Sequence, residues 1–205
     1  MQITEIKKIG RGDRYYLIID EINKFIVEAE VLARHKLKTF DEIDSEKLNK
    51  LLLENGEVSC FDRALSYLEK NIKTEKGIRD YLKQKGFLEE SIDNAVEKLK
   101  EYGYIDDSVY VENYIRTYKD KKGKKLLNFE LSLKGVNKAL IEEKLEEFVD
   151  NEDEVVSCRT LCKKYIKNKT IDQKLKQKAY AHLMTKGFSS DVISRILREE
   201  LCEQE

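Results

Sequence analysis

The sequence predicts a mainly α-helical protein: a tandem array of three three-helix repeats, preceded by a small N-terminal domain with a β-hairpin and short helices. Three observations lead to this prediction. The 205 residues include no proline and only nine glycines, so few rigid turns or forced helix breaks are expected. Runs of β-branched and aromatic residues, which favour strands, stand near the N-terminus. A Lys-Gly-Phe or Lys-Gly-Val tripeptide then recurs three times, which is typical of a repeat protein.

The N-terminal domain is predicted to begin with a β-hairpin. Residues 14–20 (RYYLIID) and 24–30 (KFIVEAE) are β-branched and aromatic runs, and the short segment between them has the length of a hairpin loop. Residues 3–9 (ITEIKKI) are a candidate third strand.

Two helical patterns follow the hairpin, at residues 31–37 and 40–56, and the second is predicted to end at Gly56. The rest of the chain is helical and repetitive in pattern. We therefore predict four domains. They are the N-terminal domain, 1–57, and three three-helix repeats, 58–105, 106–152 and 153–205.

The repeats are anchored on Gly86, Gly135 and Gly187, which are 49 and 52 positions apart. Apolar residues stand four and eight positions before each glycine, and six and ten positions after it. Steps of four on both sides of a glycine indicate two helices with apolar stripes that meet at a glycine terminus. A further helix precedes each pair. The aligned apolar residues are Leu82, Leu131 and Leu183; Ile78, Leu127 and Ala179; Ile92, Ile141 and Ile193; and Val96, Leu145 and Leu197.

Several helix starts carry a capping residue. Thr74 and Thr170 are candidate N-caps of the second helix in repeats one and three, and Gln173 would complete a capping box with Thr170. Asn137 and Ser189 are candidate caps of the third helix in repeats two and three.

The segment Gly-Tyr-Ile-Asp-Asp at 103–107 has two interpretations. Gly103 suits the left-handed position that ends a helix, Tyr104 and Ile105 would pack on the core, and Asp106 or Asp107 would cap the next helix. Paired aspartates are also metal ligands, but a metal site needs further carboxylates that no spacing here supplies. We favour the helix-capping interpretation.

Charge follows the repeat. The segments 63–85, 116–138 and 159–178, which hold the first two helices and their turns, carry +4, +6 and +7, whereas 142–154 in a third helix carries −7. A cluster of lysines is usually a solvated helix face. Three clusters in register on stacked repeats would instead merge into one basic stripe, suited to a polyanion or an acidic protein groove.

No residue pattern indicates catalysis or a cofactor. Phosphate-binding loops and dinucleotide-binding glycine motifs are missing, and neither histidine stands in a triad or metal motif. The cysteines are expected to be buried and reduced, and the tyrosines to pack between helices rather than to stack on bases. These residues are Cys60, Cys158, Cys162 and Cys202, and Tyr81, Tyr110, Tyr114, Tyr118 and Tyr165.

The sequence contains no apolar run as long as a membrane span, and MQITEIKKIG at its N-terminus lacks the apolar core of a signal peptide. A cytoplasmic location is the expectation, and nothing in the sequence demands an oligomer, so a monomer is expected.

Residues 81–115 (YLKQKGFLEESIDNAVEKLKEYGYIDDSVYVENYI) and 123–135 (GKKLLNFELSLKG) resemble the RecX regulatory proteins. The shared pattern is a leucine-bearing helix ending in Lys-Gly-Phe, a helix ending in Gly-Tyr-Ile-Asp-Asp, and Gly-x-x-x-Leu before the next Lys-Gly. The resemblance extends over the whole chain. The β-rich N-terminus resembles the extension of family members from low-GC Gram-positive bacteria.

This resemblance implies a non-enzymatic modulator of the recombinase RecA in DNA repair and the SOS response. Such proteins bind in the deep groove of the RecA–single-stranded DNA filament and block strand exchange, ATP turnover and stimulated repressor cleavage. The third repeat departs most from the pattern, because Thr170 lies 17 positions before its glycine, whereas Thr74 and Gly123 lie 12 before theirs.

The candidate residues for binding the filament or its DNA are the basic residues of the three clusters. The middle cluster stands where the family is usually rich in arginine, and lysine lacks the guanidinium fork for bidentate contacts. The candidates are Lys73, Lys76, Arg79, Arg116, Lys119, Lys121, Lys122, Lys124, Lys125, Lys134, Lys163, Lys164, Lys167 and Lys169. The alternative function is a helical module that binds single- or double-stranded nucleic acid directly.

Overall fold

The computed structural model describes residues 1–202, with Cys202 described only by its backbone. Within that range the chain forms three strands and ten helices, which confirms the predicted fold class. The elements in chain order are β1 Ile3–Lys8, β2 Arg14–Ile19, β3 Asn23–Glu28, α1 Ala29–Arg34, α2 Ser45–Leu68, α3 Glu75–Gln84, α4 Glu89–Glu101, α5 Asp107–Tyr118, α6 Lys124–Leu133, α7 Lys138–Phe148, α8 Asn151–Ile166, α9 Gln173–Thr185 and α10 Ser190–Cys202.

These elements form two compact units. The first unit contains residues 1–72 and 78–105, and the second contains residues 73–77 and 106 onward. The short segment 73–77, which includes the start of α3, therefore belongs with repeats two and three. The three predicted boundaries between the four domains stay a prediction.

The N-terminal strands form one antiparallel sheet in the order β1-β2-β3, so the candidate third strand is confirmed. Asp20 and Glu21 both have positive φ in the β2–β3 turn, as hairpin turns that match the strand twist require. One face of the sheet is buried through alternate residues such as Leu17 and Ile19, which pack with α1 and the first half of α2.

Helix α2 departs from the prediction, because it passes through Gly56 and continues to Leu68. The predicted end at Gly56 is wrong, and the first helix of repeat one is the second half of α2. A glycine inside a helix costs about 1 kcal/mol relative to alanine, and packing of α2 against α4 and the sheet offsets that cost.

A consequence of this continuity is that α2 contributes to two cores. Leu48 and Leu51 pack with the sheet. Cys60 and Ala64, further along the same helix, pack with α3 and α4 of repeat one. The predicted helix at 31–37 is shorter in the structure and begins earlier, at Ala29.

The cores of the repeats match the aligned positions. The residues four and eight before each glycine are fully buried, and those six and ten after it are buried except for Leu197, which is half-buried. Full burial of one large apolar side chain contributes about 1.5–3 kcal/mol, so these aligned residues are a substantial part of each repeat's core.

The Gly-Tyr-Ile-Asp-Asp segment ends one helix and begins the next. Gly103 adopts φ +70°, Ile105 is buried, and the Asp106 carboxylate accepts hydrogen bonds from the first N–H groups of α5. The prediction for Tyr104 is wrong, because its side chain is 55% exposed.

Three of the four other predicted caps are confirmed. Thr74, Asn137 and Ser189 each accept a hydrogen bond from a first-turn N–H group, at 3.1, 2.8 and 3.4 Å. The prediction for Thr170 is wrong, since α9 begins at Gln173 and its cap is Asp172, which accepts from the Leu175 N–H at 2.6 Å. A carboxylate at an N-cap also interacts favourably with the helix dipole, which favours the later start.

Three cysteines, Cys60, Cys158 and Cys162, are fully buried as expected. Burial raises their pKa values to about 11, 12 and 11, which keeps the thiols protonated and unreactive. The side chain of Cys202 lies outside the described part of the chain. Across residues 1–202, none of the helices combines the length and the apolar character that crossing a membrane requires.

We expect Gly56→Ala to stabilise the protein by roughly 0.5–1 kcal/mol, because alanine restricts the unfolded chain and suits a helix interior. The added Cβ would meet only Ser91 Oγ, at an ordinary 3.8 Å. Urea denaturation measures the effect. Gly103→Ala is the control, and it should destabilise because φ at that position is positive. A stability loss in Gly56→Ala would show that α2 needs glycine there.

A candidate interaction surface at the helix starts

The basic turn between α5 and α6, residues 119–125, is called here the middle turn. The N–H groups of Lys121 and Lys122 donate to the Tyr118 carbonyl oxygen at 2.9 and 3.0 Å and close the end of α5. Gly123 is the N-cap of α6. The five lysines of this turn fall into two groups, those paired within the protein and those without an ionic partner.

Lys122 belongs to the paired group. Its Nζ lies 2.6 Å from the Glu130 carboxylate and 4.2 Å from the centroid of the Tyr118 ring, and its side chain is only 19% exposed. Tyr114 donates its hydroxyl to the same carboxylate at 2.6 Å. Burial alone would raise the pKa of Glu130, but the hydrogen bonds from Lys122 and Tyr114 outweigh it and hold that pKa below its usual value.

Lys119 and Arg116 are also paired. Lys119 Nζ donates to the Asp153 carboxylate at 2.9 Å and to the Phe148 carbonyl at 3.3 Å, and this hydrogen bond lowers the pKa of Asp153. Arg116 forms an ion pair with Glu112 and lies over the Phe148 ring, 4.8 Å from its centroid. Both side chains thus tie α5 to the following helices.

Lys121, Lys124 and Lys125 form the other group. None of the three has an ion pair with any residue between 1 and 202. Lys121 and Lys125 are exposed and Lys124 is half-buried. These three charges are available to a partner, whereas those of Lys119 and Lys122 are largely compensated.

The tyrosines of α5 pack as expected rather than standing free. Tyr110, Tyr114 and Tyr118 follow one another along the helix, with ring centroids 6.1 and 4.6 Å apart. Lys134 lies over the first two rings, 6.0 and 5.7 Å from their centroids. This lysine therefore has cation–π contacts within the middle repeat.

Basic residues at the end of α8 and just after it line a pocket of about 570 Å³. Lys163, Lys167 and Lys169 line it, together with Glu200 from α10. Lys163 Nζ lies 3.4 Å from the Glu200 carboxylate while its side chain is 60% exposed. Lys164 is exposed and has no ion pair within the described residues.

Lys169 also belongs to an aromatic stack. Its Nζ lies 3.6 Å from the centroid of the Tyr165 ring, and the other partner of that ring, His182, is stacked at 4.5 Å. Burial and the nearby Lys186 and Lys169 charges lower the pKa of His182. The Tyr165 ring therefore packs against Lys169 and His182 of the same protein.

The candidate residues of repeat one divide between the two units. Lys73 and Lys76 lie in the second unit, where Lys76 Nζ donates to the Leu133 carbonyl at 3.4 Å. Arg79 lies in the first unit and is paired with Asp93 at 2.5 Å. A single stripe across all three repeats therefore stays a prediction.

The second unit shows how the repeats are joined. The start of one repeat's second helix contacts the Lys-Gly turn of the next repeat. We call this contact an inter-repeat joint. At the first joint, Thr74 Oγ1 donates to the Lys134 carbonyl at 2.9 Å. At the second, the N–H groups of Gly123 and Lys125 donate to the Lys186 and Gly187 carbonyls at 2.8 and 3.2 Å.

Asp107 adds a contact to the first joint. Its carboxylate accepts a hydrogen bond from the Glu75 N–H at 2.9 Å, while its neighbour Asp106 caps α5. The two aspartates therefore stabilise the starts of two different helices, which explains why both are present.

Glycine is required at the second joint by close approach. A Cβ at Gly123 would overlap the Gly187 carbonyl group, and a Cβ at Gly187, where φ is +85°, would overlap the backbone of Leu126. The joint thus depends on two backbones passing at hydrogen-bond distance, which side chains would prevent.

The third repeat ends the series differently. The residue 12 positions before Gly187 is Leu175, where the other repeats have Thr74 and Gly123. Leu175 lies within α9 and is buried, and its N–H group donates a hydrogen bond to the Asp172 carboxylate. Relative to the glycine of its repeat, α9 therefore begins about one helical turn earlier than α3 and α6 do.

Sequence reasoning did not find the inter-repeat joint or the part played by Lys186. The constant spacing of 12 residues between Thr74 or Gly123 and the following glycine was the available signal. It indicated equivalent helix starts, but nothing in it showed that each start contacts the next repeat.

The fold and this surface define a helical-repeat protein that presents basic residues at its helix starts. Three family models match the chain: the RecX first three-helix domain at residues 60–99, the second at 106–145 and the third at 152–197. The first match begins within α2, in agreement with the role of that helix in repeat one.

Relatives and solved structures agree with these matches. The chain is 32% identical over 205 residues to "Regulatory protein RecX" of Clostridium botulinum strain Alaska E43, covering 98% of this chain and 96% of the relative. For the protein of the same name from Clostridium beijerinckii the identity is 35%, with 97% and 94% coverage. A crystal structure of regulatory protein RecX has a TM-score of 0.72 at 27% identity and 98% coverage of both chains. The chain belongs to the RecX family of regulatory proteins.

We expect Gly187→Ala to destabilise the protein by more than Gly86→Ala does. Both glycines have a positive φ, so both variants carry strain of roughly 1–2 kcal/mol. Only Gly187 faces the Leu126 backbone, which adds about 1–3 kcal/mol of steric cost. Denaturant unfolding of the two variants gives the difference directly, and equal losses would show that the second joint tolerates a Cβ.

Proposed function

We propose that this protein regulates RecA by binding in the groove of the RecA–single-stranded DNA filament. It inhibits strand exchange, ATP turnover and stimulated repressor cleavage without catalysing a reaction itself, and it acts as a cytoplasmic monomer. Membership of a family of regulatory proteins supports a regulatory role. The filament as the target rests on the family resemblance and on the surface described above.

The observation that carries this proposal is the unpaired group of the middle turn. Lys121, Lys124 and Lys125 project from a turn whose backbone is fixed by the second joint. Rigid presentation of charge lowers the entropy lost on binding. Such a surface suits acidic groups that lie at fixed positions, as they do along a protein filament.

The distribution of charge favours a protein–DNA filament over naked DNA as the target. Nonspecific DNA binding grows with the number of lysines and arginines that neutralise phosphates. Here Arg116, Lys119 and Lys122 are paired with acidic residues of the same protein, and the net charge is −1. Fewer charges therefore remain in the middle repeat for contacts with DNA phosphates than its count of basic residues suggests.

The pocket of repeat three completes the proposed surface. Lys163, Lys167 and Lys169 line one concave site, and Lys164 is exposed beside it. A groove binder that contacts adjacent RecA protomers at the middle turn and again at this pocket would hold them in one arrangement. ATP hydrolysis along the filament requires that arrangement to change, so such contacts would slow turnover.

The first test is RecA ATPase activity on single-stranded DNA, titrated with this protein, beside a binding measurement on naked DNA. We expect substoichiometric protein to suppress turnover while naked DNA binds weakly and with a shallow salt dependence. If turnover falls only when enough protein is present to coat the DNA, the protein acts as a nucleic-acid-binding module. If turnover does not change, the proposed target is wrong.

The second test reverses single charges. Lys125→Glu should weaken filament binding by about three- to thirtyfold, since loss of one charged contact at an interface costs roughly 0.7–2 kcal/mol. Lys138→Glu is the matched control, because Lys138 is an exposed lysine of the same repeat at the start of the acidic helix α7. Equal effects of the two variants at moderate salt would remove the middle turn from the interface.

A further inference from the structure

The turn Lys85-Gly86-Phe87 in the first unit corresponds to the two Lys-Gly turns that take part in inter-repeat joints. Gly86 has φ +86°, close to the +80° of Gly135 and the +85° of Gly187. The backbone of all three turns is thus alike. Their surroundings differ, because a Cβ at Gly135 or Gly187 would overlap a neighbouring helix start, whereas nothing lies within 4 Å of the same point at Gly86.

The hydrogen-bond acceptors of this turn are also unused. The Lys134, Lys186 and Gly187 carbonyls accept hydrogen bonds from the helix start that covers them. The Lys85 and Gly86 carbonyls accept none from the residues that the structure describes. Repeat one therefore offers the acceptor half of a joint.

Leu88, the next residue along the chain, provides an independent observation. It is the N-cap of α4, forms no side-chain capping bond and is 68% exposed. The equivalent residues in repeats two and three are Asn137 and Ser189, which both cap their helices. An exposed leucine at a capping position lowers the stability of α4 without gaining burial, which indicates a role outside the fold.

We infer that the Lys85–Leu88 turn is a docking site for a protein partner that presents the first turn of an α-helix. The two completed joints define what this site accepts. One partner has Thr74 at the helix start and the other has Gly123, so a small residue enters first and donates a hydrogen bond to the Lys-Gly carbonyls. An apolar side chain of the partner would then cover Leu88.

Among the second helices of its repeats, a second copy of this protein has no free start that matches those of the two completed joints. The helix starts of α3 and α6 are already used in joints, and the start of α9 is closed by Asp172 and its extra turn. The occupant is therefore a helix of another protein, which under the proposed function is a RecA protomer of the filament. The site itself rests on the geometry of the turn, and only this choice of partner rests on the proposed function.

The decisive variant is Leu88→Asn, which removes the exposed side chain and introduces a capping residue. We expect the melting temperature to rise by about 2–4 °C, while binding to the RecA–single-stranded DNA filament weakens by about tenfold or more. Opposite changes in stability and binding cannot come from misfolding. Leu53→Asn is the control, because Leu53 is a similarly exposed leucine of the same unit, on α2. Filament binding by this variant should equal that of the unmodified protein.

A second pair of variants tests the backbone of the turn. Gly86→Asn and Gly103→Asn place the same residue at two open positions with positive φ in one unit. Only Gly86→Asn should weaken filament binding.

Three results would overturn the inference: filament binding unchanged in Leu88→Asn, equal losses in Leu88→Asn and Leu53→Asn, or self-association in sedimentation that Leu88→Asn abolishes. The last would make the occupant a second copy. If the unmodified protein does not bind the filament at all, the proposed function fails, a result that is distinct from a failure of the Leu88 comparison.

Discussion

The second unit depends on one close backbone contact, in which the start of a helix passes over a Lys-Gly turn at hydrogen-bond distance. Glycine makes this contact possible for two reasons. It adopts a positive φ at the turn, and it has no Cβ where the two backbones meet at Gly123 and Gly187. The basic side chains follow from this arrangement. Since the helix start is held by its backbone, the charges of Lys124 and Lys125 at that start remain available to other molecules.

The same turns show that charge density alone does not identify an interface. Lys119 and Lys122 stand in the most basic segment of the middle repeat, yet their charges join α5 to Asp153 and Glu130. Partly buried pairs of this kind contribute mainly by satisfying groups that would be costly to leave unpaired. The surface charge of the protein is therefore smaller and more localised than the count of lysines indicates.

Much of the fold was predictable because the repeat pattern is local. Leu82, Leu131 and Leu183 align at a fixed distance from their glycines, and burial follows from helical periodicity. The continuation of α2 through Gly56 was not predictable, since tertiary packing overrides the low helix propensity of one residue. The site was predictable only as a set of basic residues. Whether Lys122 faces Glu130 or solvent depends on side-chain direction across two helices, which spacing in the sequence does not determine.

The continuity of α2 has a mechanical consequence. A helix of 24 residues extends for about 36 Å, and here one end is packed on the sheet while the other carries Cys60 and Ala64 into the core of repeat one. Bending between the sheet and repeat one would break backbone hydrogen bonds within α2. The sheet and repeat one therefore move as one rigid body. A truncated protein that begins at residue 58 would start in mid-helix with uncapped N–H groups. The sheet is thus a rigid extension of the first repeat, which fixes the distance and direction at which anything bound to it is held.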